Sequence, residues 1–319
     1  MIYYNMFTKI FKSHSILTYM VSFFLTVCAV IFDLYTRNDG EFNPRIFIQG
    51  LTLSLSILSL FGIVFLSVTR RISIPFSSIH LLSFPLCFNL FYQDQGLNYE
   101  KVILGILFLL ALNIFSKDLT KGSSEKSLFS LGVIFTVISF INLSLSIFFL
   151  SAFILIIRLN DKRRAIVSLL GGFFLTLQPL LIATYLLTGE FKYSSPFVLV
   201  DNLTFNGQSK GTEWGWVFFV IAMLITAIYL SQKKYSGTFK KDNGADAFML
   251  FWLITSIVCR GFNLFEGDGI WLLSFIPTGY FLGNLLALLT RVFYSELLLF
   301  AIVAFGVLLK LYNNGILFS

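Results

Sequence analysis

Charge is what this chain has least of. Asp, Glu, Lys and Arg make up 12% of its 319 residues, about half of what a soluble domain uses to cover its surface. That deficit argues against an ordinary soluble enzyme. Cysteine is scarce as well: Cys28, Cys87 and Cys259 all fall inside apolar runs, with neither metal-site nor disulfide spacing. Around Cys28 the chain reads LTVCAVIF, without the small residue that precedes a lipoprotein cysteine, and the apolar run continues past it. No small-x-small cleavage site appears, so the first apolar segment is expected to stay in the protein. GxGxxG, Walker, HExxH, GxSxG and CxxC patterns are also missing, which leaves soluble-type nucleotide and zinc chemistry without support.

What is abundant is apolar: 57% of the residues are hydrophobic, and 39 are phenylalanine. Long apolar runs parted by short charged clusters predict an all-α, polytopic integral membrane bundle, a single transmembrane domain over 1–319. A helix needs roughly 20 residues to cross about 30 Å of hydrocarbon. That ruler predicts eleven spans, near 16–35, 46–68, 74–91, 100–116, 127–141, 143–158, 165–187, 214–231, 246–262, 269–289 and 292–312. Trp214, Trp216 and Trp271 mark interfacial ends. A net charge of +7 then reads as Lys and Arg held on a cytoplasmic face, with no nucleic acid implied.

The stretch 127–157 is the ambiguous one. As one helix it would be about 46 Å long, too long for a single crossing, and as two it is tight. Two crossings, with the N-terminus inside and the C-terminus outside, put sixteen of the 23 Lys and Arg on the cytoplasmic side. One crossing splits them eleven inside and twelve outside. The positive-inside rule therefore predicts a hairpin turning near Asn142.

The same topology puts ten of the sixteen acids outside. Three of them cluster in IFDLYTRNDGEFNPR, residues 31–45, where the first apolar run ends. Asp33 lies at a depth where an ionised carboxylate is costly unless hydrated or paired. Asp33 or Asp39 could serve as general base toward a hydroxyl, or with Glu41 hold a divalent metal beside a phosphate. The plainer alternative is a solvated turn in which Arg37 pairs with Asp33. Arg37, Arg45 and Arg260 are among the few outer cations and suit a lipid-linked phosphate, since guanidinium grips phosphate bidentately; ordinary lipid headgroups would suit them equally. His80 and Glu296 are the ionisable groups deepest in apolar runs, although Glu296 lies about a turn from Arg291 and can reach the inner interface. The polar stretch 188–213 has the character of a substrate-contacting outer loop.

Two resemblances follow. The segments MFTKIFKSHSILTYMVSFFLTV, KSLFSLGVIFTVISFINLSLSIFFLSAFILIIRLNDKRR and LLGGFFLTLQPLLIATYLLTGEF resemble an uncharacterised multipass inner-membrane family of flavobacteria and their relatives. The chain also resembles the GT-C class of polytopic glycosyltransferases. The likeness lies in an acid-bearing loop after the first helix, the basic RLNDKRR, and a helix closing in Pro179, Tyr185, Thr188 and Gly189. It departs from that class in being short and in lacking a soluble outer domain and a paired-acid motif. The second resemblance implies sugar transfer from a lipid phosphate at the outer face of a bacterial inner membrane, with Asp33 or Asp39 catalytic. Arg37, Glu41, Arg45 and Arg260 would bind substrate. No cofactor is evident, and a divalent metal is compatible with the acids. The rival expectations are a lipid-carrier flippase and a non-catalytic subunit of a cell-envelope complex, partnered by other membrane proteins.

Overall fold

Among the described residues, seven α-helices have defined limits. The computed structural model describes residues 99–121, 125–141, 143–189, 244–261, 274–289 and 292–313, with scattered helical residues within 18–28, 44–55 and 218–225. Of the described residues 95% are helical, and none lies in a strand. The helices are α1 (Tyr99–Lys121), α2 (Glu125–Ile141), α3 (Phe149–Arg158), α4 (Lys162–Thr188), α5 (Gly244–Gly261), α6 (Phe275–Leu288) and α7 (Val292–Asn313). A 3-10 segment, Leu143–Phe148, runs directly into α3, Phe148 keeping helical dihedrals with no side-chain cap. Helices α1 to α5 belong to one compact unit, and α6 and α7 to another.

The stretch 127–157 is not one helix. Phe135 on α2 and Phe149 on α3 lie edge to face, with centroids 5.6 Å apart. Fourteen residues of continuous helix would separate them by about 21 Å. Position 142, midway between them, lies outside the described residues; the chain reverses direction between Phe135 and Phe149. It doubles back again around Asp161, since Phe149 also meets Phe173 of α4 with centroids 5.6 Å apart. Three rings, one from each helix, thus stand at one level of an up-down-up arrangement. The 3-10 form of 143–148 was not foreshadowed by the sequence. Such runs seldom exceed three or four residues, and their rise of about 2.0 Å per residue stretches this arm.

Helices α2 and α4 run parallel and pack backbone to backbone. The Ser168 hydroxyl donates to the Glu125 carbonyl at 3.0 Å, and farther along Phe129 meets Gly172. A Cβ placed on Gly132 would run into the Leu169 carbonyl oxygen and come within 3.2 Å of Gly172 Cα and Phe173 N. One placed on Gly172 would run into the Phe129 carbonyl oxygen. Glycine is needed at both positions because a neighbouring backbone occupies the space a side chain would take.

Aromatic rings join α1 to α5. Phe108 stacks on Trp252 at 4.5 Å, and Phe115 on Phe248 at 4.4 Å. Moving forward along α1 moves backward along α5, so the two are antiparallel. Phe148 meets Phe108 edge-on at 4.6 Å and caps the stack. These side chains are fully buried, and offset or edge-on ring pairs are worth about 0.5–1.5 kcal/mol beyond their area.

In the second unit, α6 is buried along most of its length, with Ile276, Tyr280, Leu282 and Leu286 all inside. Pro277 sits in its first turn, where the missing N–H would have had no helical partner. Helix α7 buries Ser295 and Ile302 and exposes Phe293, Leu297 and Phe300.

Candidate functional site

The directions of the helices sort the polar residues of the first unit into two ends. α1 and α2 pack together across a three-residue link and so run oppositely. One end therefore gathers the end of α1, the start of α2, the end of α3 and the starts of α4 and α5. Lys121, Lys126, Arg158, Lys162, Arg163 and Arg164 all occupy it. Six of the cations that the sequence assigns to inner loops thus share one end of this unit.

Asp161 organises the start of α4. Its Oδ1 accepts from the Arg164 backbone N–H at 3.2 Å, which caps the helix. Its Oδ2 meets Arg164 Nε at 3.1 Å, both side chains being largely exposed. An ion pair this wet contributes about 0–1 kcal/mol, so its value lies more in neutralising Arg164 than in stability. Lys162 and Arg163 in the same first turn sit at the positive end of the helix dipole, where cations are disfavoured. Local helix energetics do not account for their placement.

The opposite end carries the closure of α4. Pro179 lies inside the helix, and Thr176 and Thr184 return their hydroxyls to carbonyls at Gly172 and Leu180. Such back-bonds help proline persist in an apolar helix. Gly189, at φ 73°, ends it with its N–H on the Tyr185 carbonyl at 2.8 Å. The Pro179, Tyr185, Thr188 and Gly189 pattern is therefore a helix and its left-handed stop.

Of the proposed site residues, Asp33, Arg37, Asp39 and Glu41 lie outside the described residues, as does His80. Arg45 falls on a helical segment with its side chain exposed. Arg260 is in the last turn of α5, at the end of the unit away from the basic cluster. The Phe108–Trp252 and Phe115–Phe248 register, continued outward, brings Arg260 level with Glu100 on α1. Glu100 was an outer acid in the sequence but was not tied to Arg260 by any sequence signal. Glu296 is partly buried on α7. Among the described residues no three His, Cys, Asp or Glu come together in a way that would hold a metal ion. Among the described residues, the buried Ser139 Oγ and Trp252 Nε1 have no hydrogen-bond partner.

No family model matches the chain, and no curated protein or solved structure matches it.

Proposed function

We propose that the chain is a multipass helical protein of a bacterial inner membrane, with about eleven spans and its basic loops on the cytoplasmic side. The observation that carries the reading is α4. It is the one described helix long and apolar enough to cross a membrane, and only 17% of its most apolar stretch is buried. A core helix of a soluble protein would be mostly covered. Here Phe174, Leu175, Ile182, Leu186 and Leu187 are all exposed. Left in water, five such side chains would forgo on the order of 10 kcal/mol, comparable with the whole stability of a domain. Hydrocarbon removes that penalty.

Helix directions support the topology. With α2 and α4 parallel, an intervening return is required, as the hairpin at 127–157 demands. α4 and α5 run in the same sense, so Thr188 and Gly244 stand at opposite ends of the unit. The residues between them lie largely outside the described ones, and the span expected at 214–231 from the sequence is compatible with that change of end. At about 26 Å for α2 and 27 Å for the 3-10 segment with α3, both arms fall short of a full hydrocarbon thickness. Neighbouring helices or local thinning would take up the mismatch.

The activity we propose is GT-C-like transfer of a sugar from a lipid phosphate at the outer face. Asp33 or Asp39 would take the acceptor proton, and arginines, Arg260 among them, would steady the departing phosphate. Its support is the order of acids and cations in the sequence and the Arg260 position at the end away from the basic cluster. Asp33→Asn deletes charge at constant size and is expected to abolish complementation at normal membrane levels, while Glu41→Gln has a smaller effect. A fully active Asp33→Asn, Asp39→Asn double variant would leave a non-catalytic envelope subunit as the reading. The apolar surface exposed on α4 favours that alternative, because partner helices could cover it.

A further inference from the structure

Among the described residues, Lys126, Lys162 and Arg163 at the basic end are exposed with no carboxylate partner, while Arg164 is engaged by Asp161. The Ser168–Glu125 contact fixes their arrangement. Lys126 stands beside α4 about 10 Å along the axis from Lys162, within the joint reach of two long side chains. Just past these charges the same helices expose apolar side chains, Phe129 on α2, Ile157 on α3, and Ile166, Val167 and Leu170 on α4. Cations bordering an apolar belt match the layering of a phospholipid, whose phosphate lies directly above its hydrocarbon.

The dipole of α4 sharpens the point. Lys162 and Arg163 occupy a helix start that repels cations, and Asp161 already caps that start through the Arg164 N–H, so an anion brought there meets chiefly the two cationic side chains. We infer that this end of the unit binds the headgroup of an anionic phospholipid, with Lys126, Lys162 and Arg163 as its contacts and Asp161 withholding Arg164. The inference rests on the membrane reading and deepens it by naming the lipid class. Arg163 grips phosphate bidentately, whereas the lysines act as point charges. A zwitterionic lipid offers the same phosphate beside an ammonium, quaternary in phosphatidylcholine, so the cluster discriminates against it.

The test uses the full chain in detergent micelles, with short-chain phosphatidylglycerol and phosphatidylcholine titrated in parallel and bound lipid counted by native mass spectrometry. The expected result is preferential retention of phosphatidylglycerol, weakening as salt is raised because these charges are exposed. A Lys126→Gln, Lys162→Gln, Arg163→Gln triple variant should lose the preference, at about fivefold per cation. Asp161→Asn keeps a good N-cap residue while removing the charge that holds Arg164. It should therefore strengthen retention by a similar factor, an effect opposite to that of a disrupted fold. Equal retention of the two lipids by the native chain, or no gain from Asp161→Asn, would overturn the inference alone. A chain that stays in solution without detergent or lipid would overturn the membrane reading and this inference together.

Discussion

Gly132 and Gly172 face each other where α2 crosses α4, so closely that a Cβ on Gly132 would come within 3.2 Å of Gly172 Cα and strike the Leu169 carbonyl oxygen. Gly171, the adjacent residue, has only the Phe129 ring at 3.9–4.0 Å. The pair therefore separates close packing from helix propensity. Gly172→Ala or Gly132→Ala should lower stability by about 1–3 kcal/mol, because backbone must move. Gly171→Ala should be neutral or gain up to about 1 kcal/mol, since alanine favours helix. Unfolding of the three variants in one detergent measures this, and equal effects at 171 and 172 would mean that α2 and α4 do not touch as described.

The reversal between Phe135 and Phe149 predicts a cross-link. Cysteines replacing Phe135 and Phe149 should be joined by a short bifunctional thiol reagent, given rings 5.6 Å apart. In an unbroken helix the two positions would stand about 21 Å apart and remain unjoined. Cross-linking should proceed without permeabilising reagents for lipid-soluble maleimides, and peptide mapping identifies the linked pair.

Much of this architecture was legible in one dimension. Expected spans at 127–141 and 165–187 correspond to Glu125–Ile141 and Lys162–Thr188. Hydropathy marks where an apolar run stops, and the capping carboxylate of Asp161 and the left-handed Gly189 mark the stops in chemical terms. Which helix touches which was not legible. A helix that is apolar on nearly every side, such as α4, carries no stripe to say which face is covered. The Gly132–Gly172 crossing and the Phe108–Trp252 stack are facts of tertiary pairing, and neither pair is near in sequence. The 3-10 form of 143–148 also has no composition signal; LSLSIF would serve an α-helix equally. For the site, residue types were legible in the 31–45 island, but Asp33, Arg37, Asp39 and Glu41 lie outside the described residues, so their geometry stays a matter of sequence. For Arg260 the α1–α5 register adds only a level, that of Glu100.

A charge at the middle of α4 distinguishes lipid from water around it. Leu175 is 63% exposed and lies halfway along the helix. Leu175→Arg should cost about 2.5–3.5 kcal/mol of insertion if that face meets hydrocarbon. On a water-facing surface the same change would stay within about 0.5 kcal/mol. Membrane-integrated yield, set against Lys162→Gln at the helix end, reads the difference. An undiminished Leu175→Arg yield would place that face in water or against a polar partner.

The most direct measurement asks whether the two ends of α4 lie on opposite sides of a membrane. Lys162→Cys and Thr188→Cys introduce single thiols at exposed positions, in a background lacking Cys28, Cys87 and Cys259. Intact cells are then treated with a membrane-impermeant thiol reagent, before and after permeabilisation. The account predicts that the thiol at 188 reacts in intact cells and the thiol at 162 only once the membrane is opened. Equal reaction of both in intact cells, or recovery of the chain in the soluble fraction, would contradict it.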